Sequence, residues 1–302
     1  MDMNIFTLNY LLLCGVVIVS VIPLPSNRGM HMLDVGQGDS LLFQAKSIQV
    51  LIDGGPGSEV LTRLAEEMPI FDRTIEVVVA THFDRDHLEG LSHVLSTYKV
   101  GMVLMPQYSA TTTDIKKQFI DILTQKNIPY RFAWYGQSIR AGFLTLRVMS
   151  PIPGEEWVRL SKSKSNNASV IMRVDLAVPG ARPVSFLLTG DAELAIEKQL
   201  LSAVPSKAFD VDVLKVGHHG SKTSTSDAFF SAASPSASFI SVGASNTYGH
   251  PTEEVLARIK NTHIFRTDTQ GSVSLFFGGG EWRISCKGKT HLPFMQELCI
   301  KK

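Results

Sequence analysis

Apolar residues along this chain fall into two recurring patterns. Short β-branched runs repeat beyond Pro25, and between them lie stretches with apolar residues three and four positions apart. The first kind predicts strands and the second amphipathic helices. Strands are expected at His31–Val35, Ser40–Gln44 and Gln49–Ile52, divided by turns on Gly36, Gly38 and Gly54-Gly55, as in an antiparallel meander. Val60, Leu61, Leu64 and Met68 then share a helical face, and Val77-Val78-Val79-Ala80 reads as a buried strand running into the loop His82–His87. Further along, the pattern gives a helix around Asp114–Gln125, strands near Tyr130–Trp134 and Phe143–Met149, and a polar loop from Pro151 to Ala168. Strands at Ser169–Leu176 and Val184–Leu188, a helix at Ala192–Leu201 and a strand at Val211–Val216 follow. Strands near Ser238–Val242 and Ile264–Thr267 precede a hairpin of Val273–Phe277 with Trp282–Cys286. Two β-rich halves with helices outside make a layered α/β sandwich.

One segment breaks this pattern. Ile5 to Ile22 is apolar apart from Thr7, Asn9 and Ser20, and Pro23 and Pro25 end it. As a helix it nearly spans a hydrocarbon core of about 30 Å. No Lys or Arg precedes it and no small-residue cleavage site follows, so an uncleaved membrane anchor is favoured over a cleaved signal or a buried helix. The expected organisation is an apolar segment at 1–25, a catalytic domain at 30–286 and a tail at 287–302. Arg28 alone is too little charge to orient the segment.

Composition narrows the picture only slightly. With 302 residues, 44% hydrophobic and 19% charged, the chain suits one large ordered domain. Its 29 basic and 28 acidic residues give a net charge of +1, which excludes binding nucleic acid through overall charge; any such contact has to be local. Arg159, Lys162, Lys164 and Arg173 form one local basic cluster, with Trp134, Tyr135 and Trp157 as bases' stacking candidates, although a solvated loop and core packing explain them as well. Cys14, Cys286 and Cys299 fix no redox class. His31, His93, His263 and His291 have no donor neighbours and read as structural.

The chemistry concentrates at strand ends. His82, Asp84, Asp86 and His87 place four N and O donors within six residues, enough to aim several at one divalent cation. Asp191 closes the strand ending Phe186-Leu187-Leu188, where capping the next helix is the alternative role. His218-His219 closes a third strand in the same way. Single histidines are mostly structural, but three strand ends carrying donors argue together for a metal centre.

Several ordered segments carry a resemblance. They are Leu33-Asp34-Val35-Gly36-Gln37-Gly38-Asp39-Ser40, Leu51-Ile52-Asp53-Gly54-Gly55, Thr81-His82-x-Asp84-x-Asp86-His87-x-x-Gly90, Asn166-Asn167-Ala168-Ser169, Leu188-Thr189-Gly190-Asp191, Leu214-Lys215-Val216-Gly217-His218-His219-Gly220-Ser221 and Ser241-Val242-Gly243-x-x-Asn246-x-Tyr248-Gly249-His250-Pro251. In these the chain resembles the metallo-β-lactamase domain of ComEC-type competence proteins, the DNA-uptake channel family. The resemblance implies an αββα sandwich behind an N-terminal apolar helix, with one or two divalent ions, manganese or zinc, or magnesium. It implies that His82 and Asp84 serve one ion and Asp86 and His87 the other, with Asp191 between them and His219, rather than His218, completing the second. Asp84 and the Asn166-Asn167 segment stand where most of the superfamily has histidines, which hardens the site towards manganese or magnesium, with Asn166 as a ligand candidate.

A divalent ion lowers the pKa of bound water to about 7 and steadies a phosphoryl oxyanion. Phosphodiester hydrolysis is therefore expected, with Asp86 or Asp191 taking the proton and His218 touching substrate or orienting a ligand. Ser221, Lys222, Asn246 and His250 are the expected phosphate contacts. The resemblance implies a membrane-anchored, extracytoplasmic nuclease acting on DNA, single-stranded by preference, with a DNA-uptake channel as its partner, although the many membrane spans of that channel are absent apart from the one apolar segment. A small phosphodiesterase or phosphocholine esterase and a catalytically silent DNA-guiding module are the alternatives.

Overall fold

A computed structural model describes residues 28–108, 113–152, 165–278 and 280–287. The expected apolar helix, most of the polar loop with Arg159, Lys162, Lys164 and Trp157, and nearly all of the tail lie outside them. Among the described residues no helix is long and apolar enough to cross a membrane.

Two mixed sheets stack face to face. The first runs β15 (Glu281–Lys287), β14 (Ser272–Gly278), β1 (Arg28–Met32), β2 (Leu41–Ala45), β3 (Ile48–Ile52), β4 (Thr74–Val79), β5 (Lys99–Pro106) and β6 (Tyr130–Ala133). The second runs β13 (His263–Arg266), β12 (Ala237–Ile240), β11 (Val213–Lys215), β10 (Val184–Leu188), β9 (Ile171–Leu176), β8 (Leu144–Ser150) and β7 (Ser138–Ala141). Each sheet is antiparallel at one side and parallel at the other. The expected meander is β1–β2–β3, antiparallel throughout, and the expected closing hairpin is β14–β15. Strands β3 to β6 run parallel, as do β10 to β13.

The two sheets share an apolar interior that includes Met30, Phe43, Val50 and Val77 from the first and Met172, Phe186, Val213 and Phe239 from the second. Helices α1 (Glu59–Glu67), α2 (Arg85–Thr97) and α3 (Asp114–Gln125) cover the outside of the first sheet, where Val60, Leu64, Leu91 and Phe119 bury against Leu42, Leu51 and Val78. Outside the second lie α4 (Leu194–Ala203) and α5 (Asp227–Ala233), through Ile196, Leu200 and Phe229, and α6 (Glu253–Ile259), through Val255 and Ile259. Burying one apolar side chain of this size contributes about 1.5–3 kcal/mol. The order of layers is thus α, β, β, α.

Three expectations need correction. Asp86 and His87 lie in the first turn of α2 rather than in a loop, because Asp84 stands at the helix's N-cap and the chain winds immediately after it. Asp191 caps no helix; α4 begins at Leu194 behind Glu193. Arg173 belongs to β9, where it pairs with Asp175 and donates to the Ala208 and Asp210 carbonyls, so it adds nothing to a basic loop. Strand β5 and edge strand β7 have no counterpart in the sequence reading.

Candidate metal centre

Parallel strands deliver the site. Their C-terminal ends face one another across the two sheets, and each leads into a residue with a donor group: Asp53 after β3, His82 to Asp86 after β4, Asp191 after β10, His218-His219 after β11. Backbone conformation is unusual at several of these points. Asp53, His218 and His219 hold φ of 59°, 47° and 53°, a region that side chains other than glycine enter at a cost of about 1–3 kcal/mol and that gathers at functional sites. The two consecutive left-handed residues let the chain turn sharply after β11 and keep the His219 ring buried.

Asp86, His87, Asp191 and His219 come together, each offering a ligand atom within 4.8 Å of the others. Asp191 Oδ2 lies 3.3 Å from His87 Nε2 and 3.4 Å from His219 Nε2. Asp86 Oδ2 lies 3.3 Å from His219 Nε2 and 4.0 Å from His87 Nε2. Behind each ring, Nδ1 faces an acceptor: Asp53 Oδ2 at 2.8 Å for His87, the Ser241 carbonyl at 2.9 Å for His219. This pattern turns both Nε2 atoms inwards and fixes them as the free ligand positions.

The charges follow from that crowding. Burial pushes the His87 imidazole down, but the carboxylates of Asp191, Asp53 and Asp86 outweigh it and hold the ring well above its ordinary value. His219 is raised in the same way against its burial, by Asp191 and Asp39. Burial works to raise Asp191, yet the His219 and His87 charges hold it well below the usual carboxylate range.

A divalent ion suits this place on a direct observation. The buried Nε2 atoms of His82, His87 and His219 and Oδ1 of Asp191 have no hydrogen-bond partner, an expensive arrangement for groups out of contact with water unless a cation meets them. Two imidazoles and two carboxylates are a borderline donor set that accepts zinc or manganese.

The other expected residues divide. His82 is buried with its ring centroid 4.1 Å from that of His87, its Nδ1 is 3.0 Å from the Thr81 hydroxyl, and its Nε2 is 3.8 Å from Asp84 Oδ2. Burial and the neighbouring His87 charge hold this imidazole below its ordinary value. Asp84 is half exposed and accepts a hydrogen bond from Ser165. Asn166 is half-buried, in a turn whose next residue, Asn167, accepts the Glu193 amide. His218 Nε2 lies 3.8 Å from Asp191 Oδ2, but the ring reaches the surface beside Glu193 and packs edge-on to His250.

Of the expected phosphate contacts, Lys222 is exposed and His250 stacks on Tyr248, which was given no role and is 70% exposed. Asn246 is tied into its own loop: its amide donates to the Gly243 and His250 carbonyls and its oxygen accepts the His250 amide. The Ser221 hydroxyl pairs with Thr223.

Asp39, Asp53, Lys215 and Ser241 carried no role in the sequence reading. Asp53 also accepts from the Thr81 amide at 2.8 Å and hydroxyl at 2.6 Å, so it ties the end of β3 to the end of β4. Its signal was available, since Asp53 ends an apolar strand as Asp191 does.

No protein-family model matches the chain. It is 27% identical to ComE operon protein 3 of Bacillus subtilis over 84% of the chain and 34% of that protein. It is 30% identical to Recombination protein 2 of Haemophilus influenzae over 81% of the chain and 28% of that protein. The chain thus spans about a third of the length of these relatives. Among solved structures, the metallo-β-lactamase fold protein YhfI from Bacillus subtilis superposes with a TM-score of 0.53 over 82% of the chain and 99% of its own, at 13% identity. CmlA, a diiron β-hydroxylase from Streptomyces venezuelae, gives 0.54 over 84% of the chain and 55% of its own, at 12% identity.

Proposed function

We propose that this chain, which has the metallo-β-lactamase fold and is related to the ComEC-type competence proteins over about a third of their length, is a metal-dependent phosphodiester hydrolase acting on DNA during its uptake. One observation carries the hydrolytic reading: Asp86, His87, Asp191 and His219 converge with buried, unpartnered Nε2 and Oδ1 atoms at the ends of parallel strands. Relatedness to competence proteins supports DNA as the substrate. The apolar stretch Ile5–Ile22 supports a membrane-held domain, and relatedness to competence proteins supports its extracytoplasmic side.

One or two divalent cations, manganese or zinc, supply the acidification of water and the electrostatic stabilisation of a phosphoryl oxyanion. His87, His219, Asp86 and Asp191 would hold one ion, and His82 and Asp84 would serve a second. Asp86, whose side chain keeps 33% exposure where the other three are buried, takes the proton from the attacking water. His218, at the surface and 3.8 Å from Asp191, donates a proton to the leaving oxygen. His250, edge-on to His218, and the exposed Lys222 bind the phosphodiester, and Tyr248, stacked on His250, offers an exposed face to a base.

The test is cleavage of end-labelled single- and double-stranded DNA beside a chromogenic phosphodiester, with manganese and then zinc. DNA cleavage that disappears in an Asp86→Ala, Asp191→Ala double variant supports the reading. Turnover of the small ester alone would replace DNA with a small substrate, and no cleavage with either ion would remove the hydrolase.

A further inference from the structure

The segment Gly36-Gln37-Gly38-Asp39-Ser40 lies some forty positions before the first donor of the metal motif, yet it is built into the wall behind the metal centre. The Asp39 amide donates to the Asp86 carbonyl at 3.2 Å, and the Gly55 amide donates back to the Asp39 carbonyl at 2.8 Å. A Cβ at Gly38, whose φ is 142°, would stand 2.1 Å from the Asp86 carbonyl oxygen, so only glycine permits this approach. On the other side the Ser241 hydroxyl donates to the Gly38 carbonyl at 2.7 Å, and the Gly243 amide donates to Gln37 Oε1 at 3.1 Å. The loop is clamped between α2 and the end of β12.

Its side-chain product is a buried triad. Asp39 Oδ1 lies 3.2 Å from His219 Nδ1, the nitrogen that also faces the Ser241 carbonyl, and Asp39 Oδ2 lies 2.8 Å from Lys215 Nζ. Asp39 and Lys215 are each about 1% exposed. The Lys215 ammonium also donates to the Val216 carbonyl at 2.9 Å. Asp39 further shares a crowded corner with Asp53 and His87, whose ligand atoms lie within 4.8 Å of its own. Two carboxylates buried this closely require compensating positive charge, and an ammonium buried to this extent is a costly residue to keep for packing alone.

We infer that Asp39 is a positioning residue for the metal centre, holding the His219 ring with Nδ1 turned towards Asp39 and Ser241 and Nε2 towards the cation site, and that Lys215, 2.8 Å from Asp39, is the fixed counter-charge that holds the carboxylate in place. Asp39 differs from Asp53, which meets His87 Nδ1 in a hydrogen bond: Asp39 Oδ1 makes no hydrogen bond and acts on His219 through its charge. Ser241 supplies the directional hydrogen bond, and Asp39 supplies the negative charge that makes the imidazole a stronger donor to a cation. Lys215 joins the two halves of the molecule at this point, because it comes from β11 and Asp39 comes from the loop before β2.

The inference rests on the metal-centre reading, and its test is metal binding rather than turnover. Cobalt binding to the full chain is measured by calorimetry and by visible absorption for the parent, for Asp39→Asn, and for Asp39→Asn with Lys215→Met, which removes both buried charges together. Both variants are expected to bind cobalt about 10–100-fold more weakly, with an altered absorption band. In the parent, nitrogen-15 spectra of the imidazoles should show His219 keeping its Nδ1 proton while Nε2 shifts on adding zinc, a readout independent of whether any variant folds. Unchanged cobalt affinity and band in either variant, or zinc arriving at Nδ1, would overturn the inference. If the parent binds no cation at all, the metal-centre reading falls first and this inference with it.

Discussion

His87 Nδ1 lies 2.8 Å from Asp53 Oδ2, and neither group has measurable contact with water. This bond joins a residue at the end of β3 to one in the first turn of α2, and it decides which ring nitrogen is left to face Asp191. Asp53→Asn keeps the shape but replaces a charged acceptor with an amide. Metal affinity measured by calorimetry is expected to fall about 10–100-fold while the fold persists. Affinity equal to the parent's would mean that Asp53 merely fastens Thr81.

The neighbouring histidines of the β11 turn should behave differently. His219 is buried among the donors, whereas His218 reaches the surface. His219→Ala is expected to cost metal affinity at least the roughly 10–100-fold that loss of a supporting partner costs. His218→Ala should bind metal as the parent does and lose turnover by about 10²–10⁴-fold, the range for a missing acid–base group. The reverse result in metal analysis and hydrolysis assays would exchange their roles.

The stability of metal-free protein and the increment that metal adds to it should respond to pH in opposite senses. In chelator-treated protein the imidazoles of His87 and His219 sit well above their ordinary 6.5, so their contribution is complete below 6.5 and is lost as pH rises through the raised values. Asp191, held below its ordinary 3.8, contributes above that value and loses its contribution only in stronger acid. Thermal melts of chelated protein should therefore fall as pH is raised from neutrality. The increment from added metal should grow over the same range, because binding requires the imidazoles to lose their protons. A metal increment that shrinks with rising pH would contradict this assignment.

Gly90 carries a packing constraint. A Cβ there would stand 1.9 Å from the Gly54 carbonyl oxygen, where α2 presses against the turn after β3. Gly90→Ala should destabilise the protein by about 1–3 kcal/mol in denaturant titration, and weaken metal binding by displacing His87 on the same helix. A neutral effect would show that the turn gives way.

How far the sequence could be read depended on range. Period-two and helical apolar patterns are local, so β1 to β4, α1, α3 and the closing hairpin were legible. Strand β5 was missed: its apolar run Met102–Met105 carries no donor, and the boundary with α2 has no glycine or proline. The convergence of Asp86, His87, Asp191 and His219 was legible because each residue follows a strand end that the pattern located. Asp39 and Lys215 were not, because their meaning lies in a contact across the two sheets between residues far apart in the chain. Nor could local pattern show that Asn246 binds its own loop.

The centre itself is tested most directly by anomalous diffraction from crystals of the chain loaded with zinc or manganese. The account predicts a peak about 2.0–2.2 Å from Nε2 of both His87 and His219 and bonded to the carboxylates of Asp86 and Asp191. A fully loaded protein with its peak elsewhere, or with those four side chains facing no ion, would contradict it.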